Sequence, residues 1–141
     1  MKKAIFPLMA LLCINLTGFT QSNTPVTVTS AFKQKFPNAK SVKWNKENAH
    51  EYEASFELDA AKYSANFSNN GDWLETESPV SFDQLPEKVQ KVFNVSHKST
   101  AIMAVSKIET AKRITKYEIE IKEGKKTVQL FYLADGASIK E

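Results

Sequence analysis

Hydrophobic and polar residues alternate through two long stretches of the chain, which is the pattern of half-buried β-strands. The first stretch spans residues 51–74, and the second spans residues 116–139. Within each stretch the alternation is interrupted where a turn is expected, so each predicts antiparallel hairpin strands. The two stretches match without a gap, which predicts an internal repeat. The matched pairs, each 65 residues apart (117−52, 136−71), are Tyr52 and Tyr117, Phe56 and Ile121, Phe67 and Tyr132, and Gly71 and Gly136.

A helical pattern precedes each of these stretches. Apolar residues recur at helical spacing after Pro25, and again after Pro86. The sequence therefore predicts an α+β fold of two tandem like units, each a helix packed on a three- to four-stranded antiparallel sheet. One helix covers one face of a sheet, so the other face is expected to be polar or available to its twin or a partner. The apolar helix positions are Val28, Ala31, Phe32 and Phe36 in the first unit, and Leu85, Val89, Val92 and Phe93 in the second.

The predicted turns are short. Asn70-Gly71 lies between two alternating segments, and both residue types tolerate the positive φ of a type I′ turn. Asp135-Gly136 is the equivalent turn of the second unit, and a tight connection is predicted at residues 59–61.

The first 20 residues have the layout of a secretory signal peptide, with a basic start, a short apolar run and small residues before a cleavage point at Thr20/Gln21. The apolar run is too short to span a membrane. Cys13 raises the alternative of a lipid anchor, which the bulky residue before it, Leu12, disfavours. We expect a periplasmic or secreted protein with a signal peptide at 1–20 and like units at 21–80 and 81–141.

Charge and cysteine content exclude several classes of protein. The full chain has a net charge of +3, and removing Lys2 and Lys3 leaves about +1, which gives no electrostatic signature for nucleic acid. Cys13 is the only cysteine, so the mature chain has no disulfide and no thiol nucleophile. His50 and His97 are far apart and lack convergent ligands for a metal site. No phosphate-binding loop or nucleophile motif is found, so the sequence predicts no enzyme and no cofactor.

Four segments resemble the PepSY-like proteins of Bacteroidetes, which are small exported proteins related in fold to the β-lactamase-inhibitory protein. The resemblance covers nearly the whole mature chain and is weaker in the second unit, which has no tryptophan to match Trp44 or Trp73. It implies the same helix-plus-sheet architecture, and it implies no defined activity. The segments are AFKQKFPNAKSVKW (31–44), YEASF (52–56), NNGDWLETE (69–77) and LPEKV (85–89).

A surface of aromatic and acidic side chains is the strongest candidate site. Large aromatic residues are common anchors of protein interfaces, and the resemblance implies that a sheet face meets the partner. The alternative is that Tyr52 belongs to the core and that Trp44 packs on the first helix through Phe32. Because Trp73 alternates with Leu74, Trp73 is expected to be at least partly exposed. The candidate partner-binding residues are Trp73, Trp44, Tyr52, Glu75 and Glu53, together with Glu51.

The other alternating glutamates, including Glu118 and Glu120, are expected to be solvated and paired with lysines on neighbouring strands. The sequence therefore favours an exported, non-catalytic binding module, a monomer with an exported protein partner, either a hydrolase that it inhibits or an assembly factor. A structural or accessory envelope protein and a small-ligand carrier with a cleft between the units are the alternatives.

Overall fold

The chain folds around one antiparallel β-sheet whose eight strands follow one another in chain order. The computed structural model describes residues 23–140. One helix precedes the first four strands, and a second helix, led by a short 3₁₀ turn, precedes the last four. The elements are α1 (Val26–Lys35), β1 (Lys40–Lys46), β2 (Glu51–Leu58), β3 (Ala61–Ser68), β4 (Trp73–Pro79), the 3₁₀ turn (Phe82–Gln84), α2 (Glu87–Ser96), β5 (Ile102–Thr110), β6 (Thr115–Glu123), β7 (Lys126–Leu133) and β8 (Ser138–Ile139).

The first helix is held by one buried apolar stripe. Pro25 precedes α1 and supplies the fixed φ that suits a helix start. Val28 and Phe32 are buried, and the Phe32 ring meets Trp44 edge to face with 5.3 Å between ring centroids. A ten-residue helix is marginal in isolation, so this packing is what stabilises it. Its buried partners in the sheet are Tyr52, Ala54, Phe56, Ala65 and Phe67.

The second helix repeats this arrangement on the last four strands. Val89 and Phe93 are buried, at the positions in α2 that match Val28 and Phe32 in α1. The helix ends at Ser96, and the N–H of the next residue, His97, donates to the carbonyl of Phe93 at 2.8 Å. The buried partners of α2 are Leu85, Val105, Ile119, Ile121 and Tyr132.

Both helices cover the same face of the sheet. Paired residues on neighbouring strands lie on one face, and successive residues along a strand alternate between faces. The register leads from Ala65 on β3 through Thr76 on β4 and Glu109 on β5 to Thr115 on β6. Thr115 is on the face of Ile119, so the core under α1 and the core under α2 lie side by side.

The predicted α+β class and the order of helix and antiparallel strands are confirmed, but the prediction of two small sheets is wrong. β4 and β5 pair over five residues and join both halves edge to edge. Each half therefore contributes four strands to one continuous sheet. Neither half covers the other's second face, which stays on the outside of the molecule.

The predicted type I′ turn at Asn70-Gly71 is also wrong. Only Gly71 of this pair has a positive φ, 87°, and its N–H donates to the carbonyl of Ser68 at 2.9 Å. This is the geometry of a three-residue loop that ends in a left-handed residue. The tight connection after β2 has positive φ at both central residues, Asp59 (50°) and Ala60 (63°).

The matched glycines of the repeat lie against the helices. Gly71 and Gly136 have φ values of 87° and 88°. A Cβ on Gly71 would be 2.9 Å from the carbonyl oxygen of Thr27 in α1, and a Cβ on Gly136 would be 3.1 Å from that of Lys88 in α2. Each helix therefore rests on the backbone of a turn that has no room for a side chain.

The two edges of the sheet are unlike its interior. β1 has an irregular register between Lys40 and Lys43, and Ser41 within it has a φ of 54°. At the other edge β8 consists of only two residues, Ser138–Ile139.

Within residues 23–140 no helix is long and apolar enough to cross a membrane. The predicted signal peptide at 1–20, its cleavage at Thr20/Gln21 and Cys13 lie outside the described residues. The boundaries of the units at 21–80 and 81–141 remain predictions.

Candidate functional site

The face of the sheet opposite the helices, which we call the open face, is polar and rich in glutamate. Glu53, Asn66 and Glu75 are neighbours across β2, β3 and β4. Ser64 and Glu77 form the adjacent row and lead to Ile108 on β5. These side chains come from both halves of the repeat, so the join between β4 and β5 creates a surface that neither half has alone.

A cavity of about 270 Å³ lies in the middle of the open face, and we call it the carboxylate cavity. Half of its lining residues are glutamates, and none is lysine, arginine or histidine. Like charges gathered in a concave, partly dehydrated site raise the local negative potential. The cavity is therefore suited to a positively charged group. Its lining residues are Glu47, Glu53, Ser64, Asn66, Glu75, Glu77, Ile108, Glu118, Gln129 and Phe131.

Glu118 is the most perturbed acid of this cavity and is only 6% exposed. Burial, followed by the negative charge of Glu77, raises the pKa of the Glu118 carboxyl from 4.5 to about 8. A hydrogen bond with Gln129 lowers this pKa, whereas the charge of Glu120 and a hydrogen bond to Glu77 raise it. Ser64 donates its hydroxyl to Glu77 at 3.4 Å. Near neutral pH the buried Glu118 carboxyl therefore keeps its proton, hydrogen-bonded to Glu77.

The neighbouring carboxylates have different surroundings. Burial raises the pKa of Glu53, the hydroxyl of Ser55 lowers it by donating at 3.0 Å, and the charges of Glu47 and Glu77 raise it again. Glu75 is instead paired with Lys116, whose Nζ lies 3.3 Å from its Oε2. This salt bridge neutralises Glu75, which lines the cavity.

The five predicted site residues do not form one surface. Glu53 and Glu75 lie on the open face, whereas Tyr52, Trp44 and Trp73 lie on the face covered by the helices. Tyr52 is 8% exposed, and Trp44 packs on the core under α1. The expectation of a joint aromatic and acidic surface is wrong because alternation along β2 separates Tyr52 from Glu53. The core alternative for Tyr52 and Trp44 is confirmed.

Trp73 is half-buried at the margin of the core under α1, which agrees with the expectation that it is at least partly exposed. Its Nε1 donates to the hydroxyl of Thr76 at 2.9 Å, and the Nζ of Lys35 lies 3.7 Å from a ring centroid. The indole also lines a shallow depression beside Arg113 and Ile114 on the helix side. Trp73 is therefore held by α1 and β4 and does not face the carboxylate cavity.

The sequence interpretation missed the burial of two acids of β6, one of which lines this cavity. Glu118 and Glu120 were expected to be solvated, but each is only 6% exposed. Lys116 is paired across the join with Glu75 of the first half. A sequence signal did exist: both acids flank Ile119, which is 0% exposed in the middle of a strand. In an eight-stranded sheet, such central positions are shielded by neighbours on either side.

Among residues 23–140, no group of three or more histidine, cysteine, aspartate or glutamate residues is placed to hold a metal ion. The acids of the open face surround the cavity from different strands, so they do not converge on one point. The arrangement can instead accept hydrogen bonds from a larger cationic group.

One antiparallel sheet with two helices on a single face is the α+β fold of the proteins that resemble the β-lactamase-inhibitory protein (BLIP). The chain belongs to the PepSY-like family: the family model described as "Putative beta-lactamase-inhibitor-like, PepSY-like" matches residues 15–64 and 51–140. The predicted family is thereby confirmed. Among curated proteins, none matches the sequence.

Solved structures from Bacteroides share this fold. A DUF2874 family protein from Bacteroides ovatus is 26% identical with a TM-score of 0.71, over 84% of this chain and 86% of that one. A BLIP-like protein from Bacteroides fragilis is 24% identical with a TM-score of 0.67, over 84% and 85%. A structure from Bacteroides eggerthii, described as "putative periplasmic proteins", is 17% identical with a TM-score of 0.76, over 84% and 88%. At these identities the last two show the fold alone.

Proposed function

We propose that the protein is an exported, non-catalytic binding module that docks a basic surface of a partner protein on its open face. The observation that supports this most is the carboxylate cavity, in which five glutamates and no cationic residue line a concavity of about 270 Å³. Interfaces gain specificity and association rate when opposite potentials meet. A partner with an exposed lysine or arginine is the chemistry that such a face complements.

The helix side carries exposed cations, and this favours the carboxylate cavity as the docking site for a basic partner. Lys33, Lys35, Lys88 and Lys91 are exposed on the two helices, on the side of the sheet opposite the cavity. A basic partner meets like charges on the helices and opposite charges at the cavity, which favours its approach to the open face.

An exported compartment is supported by the amino-terminal pattern of a signal peptide and by the periplasmic description of the protein from Bacteroides eggerthii. Within that compartment, inhibition of a hydrolase is the first form of the proposal, because the family description names β-lactamase inhibitors. Accessory binding to an envelope protein is the second form. A small-ligand carrier is disfavoured because about 270 Å³ is below the usual range of ligand pockets, roughly 300–1,000 Å³.

The test uses three forms of the chain 21–141: wild type, Glu53→Lys, and Glu123→Lys as the control. Glu53 lies in the carboxylate cavity, whereas Glu123 is exposed at the end of β6, and both substitutions change the charge equally. Each form is used to retain proteins from an envelope fraction, and retained proteins are then purified and rebound by calorimetry. Docking on the open face predicts a partner with a basic surface, bound by wild type and control and lost with Glu53→Lys.

A partner that binds all three forms equally would overturn this proposal. A bound hydrolase is then assayed for turnover at saturating amounts of the chain. Lost turnover supports inhibition, and unchanged turnover supports an accessory role.

A further inference from the structure

We infer that docking of a basic partner on the open face expels the proton held by the buried Glu118 carboxyl, so that the partner binds more tightly as the pH rises. This inference rests on the proposed function and adds its regulation. Glu118 is 6% exposed and lies in the wall of the carboxylate cavity, beside Glu77, where a docked cation would enter. Proton binding and partner binding therefore compete for the same negative charge.

Few other groups can balance the negative charge around Glu77 and Glu118. Glu75 faces these two acids from β4, Glu53 from β2 and Glu47 from the turn before β2. On β6 the charged neighbours are Glu120 and Lys116. β3, β5 and β7 contribute uncharged lining residues, namely Ser64, Asn66, Ile108, Gln129 and Phe131. Lys116 is the one cation in this set, and it is paired with Glu75. The described residues thus hold four other acids and one engaged lysine around the pair.

A buried carboxyl that contacts a second acid does not ionise readily without a counter-charge, so Glu118 keeps its proton. Burial and the charge of Glu77 account for this in Glu118, whose pKa is raised to about 8. A guanidinium or ammonium group in the cavity supplies the missing counter-charge. The proton then leaves to the buffer, and both carboxylates accept hydrogen bonds from the cation.

The size of the effect follows from linkage. When one proton is released per partner bound, the dissociation constant falls about tenfold per pH unit below the pKa of Glu118 in the free chain. Between about pH 6 and about pH 8 the fall is about 50-fold, and it levels off above this range. A surface of ordinary carboxylates would show no such slope, since these acids are already ionised.

The experiment uses a hexaarginine peptide with blocked termini, because its guanidinium charges do not titrate in this range. Binding to the chain 21–141 is measured by calorimetry at about pH 6 and about pH 8, in two buffers of different ionisation enthalpy at low salt. The comparison is with Glu118→Gln, in which an amide N–H replaces the carboxyl proton, and with Glu77→Gln, which removes the charge of Glu77 and leaves Glu118 buried. Both variants retain His50 and His97, so any histidine contribution appears in them as well. The carboxyl carbon of Glu118 is titrated by NMR in parallel.

The expected result is binding by the wild-type chain that tightens at least tenfold over this range with about one proton released per peptide. In Glu118→Gln this dependence should be flat, and in Glu77→Gln it should be weaker and shifted to lower pH, because burial still raises the pKa of Glu118. Equal affinity at both pH values, or a Glu118 carbon that titrates in the ordinary range of a glutamate, would overturn this inference and leave the docking proposal intact. No binding of the peptide at either pH would overturn both.

Discussion

Replacing Glu118 with glutamine is expected to remove a pH-dependent loss of stability that the buried carboxyl imposes on the fold. The folded chain keeps this proton up to a pKa of about 8, whereas the unfolded chain releases it at the ordinary pKa of 4.5. Between these values the unfolded state binds fewer protons than the folded state, so the free energy of unfolding falls as the pH rises. At about 1.4 kcal/mol per pH unit, the total approaches about 5 kcal/mol, of which about 3 to 4 kcal/mol falls between about pH 5 and about pH 8.

The glutamine variant keeps the local packing, because its side-chain amide can donate to Glu77 as the protonated carboxyl does. The variant should therefore be more stable than the wild type, and this difference in the free energy of unfolding should grow with pH. Urea denaturation at about pH 5 and about pH 8 gives both free energies of unfolding by linear extrapolation. Glu123→Gln, an exposed acid on the same strand, is the control and should follow the wild type. A difference between Glu118→Gln and the wild type that is the same at both pH values would refute this reasoning.

Two further substitutions test the packing of the helices on the sheet. Trp73→Ala should lower the free energy of unfolding by about 2 kcal/mol, because the indole loses its contacts with Thr76 and Lys35. This is less than for a fully buried aromatic residue, since Trp73 is half-buried. Binding on the open face should be unchanged, and a weaker affinity at equal folding would place Trp73 in the interface. Gly71→Ala should destabilise more than Gly124→Ala, because both residues have positive φ but only the Gly71 position has a helix backbone within 3 Å. We expect about 3 kcal/mol for Gly71→Ala and about 1 kcal/mol for Gly124→Ala by thermal denaturation, and equal losses would contradict the close approach of α1.

The elements of the fold could be predicted from the sequence, and their assembly could not. Helical spacing at Val28 and Phe32, and alternation from Tyr52 onward, define elements whose buried faces are the ones observed. The edge-to-edge join depends on hydrogen bonds between the backbones of β4 and β5. The hydrophobic pattern does not predict this pairing, because two separate sheets would need the same alternation of hydrophobic and polar residues.

The candidate site was only half predictable for the same reason. Alternation places Glu53 and Glu75 on a polar face, but their nearest partners across the sheet depend on the register. Glu77 and Glu118 belong to different halves of the repeat and meet only because β4 and β5 are joined. Alternation assigns a residue to a face, while the depth of burial on that face depends on strands far away in the sequence.

The way β5 pairs with β4 has a consequence for assembly. In the repeat, β5 occupies the place of β1, so the join applies a head-to-tail operation, which builds an open array unless its rotation closes a ring. Repeated between molecules, it would extend the sheet. The two ends are unsuited to this, because β1 is irregular and has lysines at positions 40, 43 and 46, and β8 offers only two residues. Charged, irregular or very short edge strands are the features by which natural sheets avoid such polymerisation.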